Sequence, residues 1–164
     1  MSDKPYNVLF ICTGNSARSI LSEGLMNRLG DGRFVAYLAG SHPKGEVNPF
    51  ALRELARWQL LTEGYRSKSW DEFAAPDAPA LDFVFTVCDK AAGEVCPIWP
   101  GQPITAHWGV PDPADVEGTD EQKQQAMHEA ALTLKRRIDL LLSLPITKLD
   151  NVALQKSVRE IGQQ

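Results

Sequence analysis

Asn7-Val8-Leu9-Phe10-Ile11-Cys12-Thr13-Gly14-Asn15-Ser16-Ala17-Arg18-Ser19 decides how the rest of the chain is read. The first five residues are a short apolar run rich in β-formers, which predicts a strand. From Ile20 to Leu29 the apolar residues Ile20, Leu21, Leu25 and Leu29 recur at helical spacing. The residues between are therefore a strand-to-helix turn that opens on a cysteine and has an arginine six positions on. Such a turn suits an oxyanion. Successive backbone N–H groups of Thr13, Gly14, Asn15, Ser16 and Ala17 can form a nest, and the following helix adds the positive end of its dipole. Gly14 supplies backbone freedom, Asn15 and Ser16 shape the turn, and Arg18 can fork onto two oxygens of one anion. The same field lowers the pKa of Cys12, whose thiolate is then the nucleophile, with Ser19 placed to hydrogen-bond the sulfur. The competing reading is an inert packing cysteine at a strand end.

Composition sets the outer limits. The chain has 164 residues, 43% hydrophobic and 23% charged, with a formal net charge of -4. That size suits one domain with a real core. The acidic balance argues against nucleic acid or an anionic membrane as partner, so a small anion must be held by a local field. No apolar run reaches membrane-spanning length and the start lacks a signal-peptide core, so a cytoplasmic protein is expected. Three cysteines fit reactive thiols better than a secreted disulfide framework. Their spacing, with three scattered histidines, gives little support to zinc. No nucleotide-binding glycine pattern is present, so no cofactor is implied.

Taken in order, the pattern predicts a strand over 6–11, a helix over 17–29 and a strand over 34–38. Helix 49–61 opens on Pro49 and stops by Gly64. Ser67 to Phe73 reads as a loop entering a short helix. Leu81–Val87 is a third strand, apolar enough to be central and parallel, and Ile104–Trp108 a fourth. Thr119 caps a long helix from Asp120 to Leu144, acidic early and with Lys135, Arg136 and Arg137 late, which closes at Pro145. Residues 1–145 form the main body, and 146–164 a weakly helical tail of the same domain. Alternating strand and helix imply an α/β fold with a parallel sheet and helices on both faces. Ligands of such sheets bind beyond the carboxyl ends of the strands. Cys12, Cys88 and the loop of Asp112 all follow strands and converge there.

Cys-(x)5-Arg-Ser directly after an N-terminal strand resembles the phosphate-binding loop of the low-molecular-weight protein tyrosine phosphatases, and more closely that of their arsenate reductase relatives. Ser22-Glu23-Gly24, Ala39-Gly40-Ser41-His42-Pro43, Ser67-Lys68-Ser69-Trp70-Asp71, Val87-Cys88, Cys96-Pro97, His107-Trp108-Gly109 and Asp112-Pro113 extend the likeness. The resemblance implies a single-domain, four-stranded parallel sheet of order 2-1-3-4. It also implies arsenate as substrate and a thiol relay. Cys12 attacks arsenic, Cys88 attacks the Cys12 sulfur as arsenite leaves, and Cys96 takes over the disulfide. Asp112 is the general acid, although Pro111 stands before it where better-known reductases have a second aspartate. The reductant is thioredoxin, or glutathione with glutaredoxin. Some relatives bind potassium, but Leu38 replaces a serine of that ligand pattern, so no metal is expected. A tyrosine phosphatase is the alternative that Cys12, Arg18 and Asp112 alone would satisfy, but it has no use for Cys88 and Cys96. Ala114 and Asp115 also replace the aromatic residues that phosphatases carry after Asp-Pro. An oxyanion-sensing protein without catalysis ranks below both, because an inert nest needs no cysteine at its base.

Overall fold

The computed structural model describes residues 5–12, 18–30, 32–40, 48–60, 69–87, 103–110, 113 and 116–163. Strands β1 (Tyr6–Ile11), β2 (Phe34–Ala39), β3 (Phe83–Thr86) and β4 (Ile104–His107) make one sheet in the order β2-β1-β3-β4. Every pairing is parallel, with Phe10 beside Leu38 on one side and Phe85 on the other. This is the architecture that the resemblance implied. The two central strands are the most apolar: Val8, Leu9, Phe10 and Phe85 have no exposed surface.

Four α-helices are found among the described residues: α1 (Arg18–Leu29), α2 (Pro49–Arg57), α3 (Asp120–Leu142) and α4 (Asn151–Ile161). Side chains chosen for the job set their starts. Asn48 caps α2, Asp150 caps α4, and Thr119 forms a reciprocal capping box with Gln122. Helix α2 ends at Arg57, four residues short of the expected Leu61. Gln59 takes a left-handed φ of 59°, and Gln59 N and Leu60 N donate back to Ala56 O and Leu55 O. This is a Schellman stop built on a non-glycine residue, which the spacing of apolar residues does not register. Helix α3 stops at Leu142, two residues early, and its last turn holds no basic residue. Lys135, Arg136 and Arg137 therefore do not complement the helix terminus as expected; Arg137 is instead buried. The tail is ordered as a 3-10 turn over Ile146–Lys148 followed by α4.

Both faces of the sheet are covered. On the face of Phe10, Phe85 stacks on Trp108 at 3.9 Å between centroids, and Trp108 Nε1 donates to Val158 O of α4 at 2.9 Å. On the opposite face Tyr37 meets Phe73 of the 3-10 turn Trp70–Phe73 at 5.6 Å. Both outer edges carry a side-chain amide. Asn27 of α1 accepts from Ala36 N at 2.8 Å and donates to Ala36 O of β2. Gln155 of α4 makes the same pair of bonds with Thr105 of β4. Each amide imitates one rung of a neighbouring strand.

Between α2 and α3 the carboxylate of Glu54, with no exposed surface, accepts from Trp58 Nε1 at 2.6 Å and lies 2.7 Å from His128 Nδ1. Glu54→Ala leaves both part-buried partners without their acceptor, and a loss of about 2 kcal/mol in urea unfolding is expected. Gly162, just beyond α4, lies against the backbone of β4. A methyl group there meets His107 O and comes within 2.9 Å of Trp108 Cδ1. Gly162→Ala should therefore cost about 1–3 kcal/mol by the same measurement.

Candidate active site

The carboxyl end of the sheet is stitched together by backbone bonds that continue each strand. Cys12 N donates to Ala39 O at 3.1 Å, Val87 N to Ile11 O at 2.8 Å and Trp108 N to Thr86 O at 2.7 Å. The last rung places Val110 N 3.0 Å from Val87 O. Gly40 bridges Ser69, and Trp70 N donates to Gly40 O at 2.9 Å. Residues from five separate sequence blocks, around Cys12, Gly40, Ser69, Val87 and Trp108, thus meet at one end of the molecule.

Cys12 sits where β1 stops, 4% exposed. Arg18 is the first residue of α1 and is 9% exposed. Its Nη1 donates to Val110 O at 2.7 Å, and its own carbonyl accepts from the buried Ser22 hydroxyl at 2.8 Å. The arginine is therefore fixed at both backbone and head, across 92 positions of sequence. Ser19 follows as the second residue of α1. Thr13, Gly14, Asn15, Ser16, Ala17, Cys88, Cys96 and Asp112 lie outside the described residues. A buried thiol follows β1, and the next described element, α1, opens on a buried guanidinium whose positive charge adds to that of the helix N-terminus.

Sequence reasoning missed a second arginine. Arg137 of α3 is 6% exposed, and its Nη1 donates to Gly109 O at 2.8 Å, one residue before the carbonyl that holds Arg18. Burial pushes its pKa down, and neighbouring Arg136 adds to the effect. A signal was present: Leu134, Arg137, Ile138 and Leu141 fall at core spacing on one helix face. His107, part of a block in the resemblance, pairs its Nδ1 with Thr86 Oγ1 at 2.8 Å, while Trp108 beside it is a core residue. His128 belongs to the α2–α3 seam.

A four-stranded parallel sheet with a cysteine at the end of β1 and an arginine opening α1 defines the low-molecular-weight phosphatase class. The sequence pattern of the low molecular weight phosphotyrosine protein phosphatase family matches residues 7–150, and the chain belongs to that family. It is 36% identical over 132 residues to an arsenate reductase of Halalkalibacterium halodurans, covering 80% of this chain and 91% of that protein. With an arsenate reductase of Bacillus subtilis it shares 36% over 117 residues, covering 71% and 80% respectively. Among solved structures, an arsenate reductase in the phosphate binding state superimposes with a TM-score of 0.66 at 25% identity, over 84% of this chain and 97% of that one. A low molecular weight protein tyrosine phosphatase from T. tengcongensis shares the fold with a TM-score of 0.68 at 23% identity, over 88% and 99%.

The two described residues of the corner differ in what they hold. Cys12→Ala removes one sulfur from a packed site, and about 1 kcal/mol of stability should go with it. Arg18→Met strips the donor from a buried carbonyl and should cost about 2 kcal/mol. Urea midpoints of the two variants check that order.

Proposed function

We propose that the chain reduces arsenate to arsenite, with Cys12 as nucleophile and Arg18 as the side chain that holds the oxyanion. The observation that carries this reading is the buried thiol just after β1 together with the buried Arg18 that opens α1 and is held by Val110 O. Support comes from the arsenate reductases to which the chain is similar over most of its length. Backbone N–H groups of Thr13 to Ala17, with Ser19, complete the anion site.

The chemistry runs in balanced steps. Arsenate enters with its oxygens on the nest and on Arg18. The Cys12 thiolate attacks arsenic(V), an S–As bond forms, and one oxygen leaves as water after taking a proton from Asp112. Cys88 then attacks the Cys12 sulfur as thiolate. The S–As bond breaks, its electron pair stays on arsenic, and arsenite departs. The two sulfurs have lost two electrons and are joined as Cys12–Cys88. Cys96 attacks Cys88 and releases the Cys12 thiolate, leaving Cys88–Cys96. An external dithiol such as thioredoxin reduces that disulfide by exchange; in the alternative route glutathione and glutaredoxin take the place of Cys96 and thioredoxin. A reducing compartment such as the cytoplasm keeps the three thiols ready. The chain would then serve in arsenic detoxification.

The test is a single turnover of fully reduced protein with arsenate, in the absence of air and external thiol. About one arsenite per chain is expected, with Cys88 and Cys96 recovered as one disulfide-linked peptide pair. Cys12→Ala should lower the rate at least about a thousandfold. Arsenite formed only after glutathione is added would assign the glutathione-coupled route. No arsenite under either condition, together with brisk hydrolysis of an aryl phosphate, would replace reduction by the phosphatase reading.

A further inference from the structure

The Gly109–Val110 dipeptide is tied to three elements at once. Val110 N donates to Val87 O beyond β3 at 3.0 Å. Val110 O accepts from Arg18 of α1 at 2.7 Å, and Gly109 O accepts from Arg137 of α3 at 2.8 Å. Two buried guanidiniums thus occupy consecutive carbonyls. We propose that Arg137 is a positioning residue for the anion site: by holding the Gly109 carbonyl it fixes the next one, that of Val110, as the anchor of Arg18. The inference rests on the anion-binding reading of Cys12 and Arg18 given above.

Energetics favour a role beyond packing. Leu134, Ile138 and Leu141 around Arg137 on α3 have no exposed surface. A leucine or methionine would fill such a position without the desolvation that a guanidinium suffers. That desolvation is visible in the lowered pKa. What the arginine provides and a methionine does not is a fixed donor to one carbonyl and a second positive charge in the same corner. In a chain of net charge -4 both bear on holding an anion. Each of the two cations has its own carbonyl acceptor. Removing Arg137 leaves the peptide between Gly109 and Val110 on the single bond from Val110 N to Val87 O, gives the Val110 carbonyl more play, and so loosens the guanidinium that should already be aligned when the anion arrives.

Protection of Cys12 from alkylation tests this. Iodoacetamide labelling of Cys12 is followed by peptide mass spectrometry against inorganic phosphate, in the unaltered chain, Arg137→Met and Arg137→Lys. Urea unfolding is measured alongside. Phosphate should slow labelling of the unaltered chain. Arg137→Met should need about tenfold more phosphate for half-protection, the size expected for one misplaced charged hydrogen bond. Arg137→Lys keeps a cationic donor and should return to within about threefold. A purely structural arginine would lower the urea midpoint without moving the phosphate dependence, and that result overturns the proposal. Should Arg137→Met not fold, Arg137→Gln takes its place with the same readings. If phosphate fails to slow labelling even in the unaltered chain, the anion-site reading itself falls and takes this inference with it, a result distinct from the unmoved phosphate dependence.

Discussion

The hydrogen bond from Arg18 to Val110 O is the constraint on which the carboxyl end of this molecule depends. It joins the first turn of α1 to the segment after β4, which the strand order separates from β1 by β3. Without it the guanidinium, on its long, flexible stem, would lose this anchor at the carboxyl end of the sheet. With it, the two described residues that flank 13–17 are both held: Cys12 N is bonded to Ala39 O, and Arg18 to Val110 O. Parallel pairing supplies the rest, since all four strands deliver their carboxyl ends to the same side.

That corner rests on a hydrophobic floor. Phe10, Phe85 and Trp108 form a continuous aromatic layer just behind it, and Trp108 ties the layer to α4 through Val158 O. Helix α4 is thus part of the support of β4. Its close approach at Gly162 and the pairing of Gln155 with Thr105 make the same connection at two further points. Stability and site geometry share residues here. Core packing sets the level of Trp108, and the next two residues hold the arginines.

Much of the fold was legible because its signals are local. The apolar run before Cys12, the helical spacing after it, Pro49 at the first turn of α2, and Thr119 ahead of an acidic first turn each announce an element within a few residues. Strand order was different: alternation of strand and helix indicates a parallel sheet, and only the resemblance specified 2-1-3-4. The early end of α2 was hidden because its stop uses Gln59 where glycine is usual, while Leu60 and Leu61 prolong the apolar spacing. Of the candidate site, Cys12 and Arg18 were legible from one short motif, whereas Arg137 needed a tertiary partner 28 positions away. Its place on the apolar stripe of α3 was visible, but an arginine beside Lys135 and Arg136 looks like part of an exposed basic cluster until the fold shows which way it turns.

The amides of Asn27 and Gln155 give the sheet a different kind of boundary. Each occupies the outward-facing N–H and C=O of an outer strand, and each is carried by a helix packed into the body. A foreign strand seeking to join either rim would have to displace a carboxamide that cannot move without its helix. Recognition by β-augmentation is thereby discouraged on both flanks.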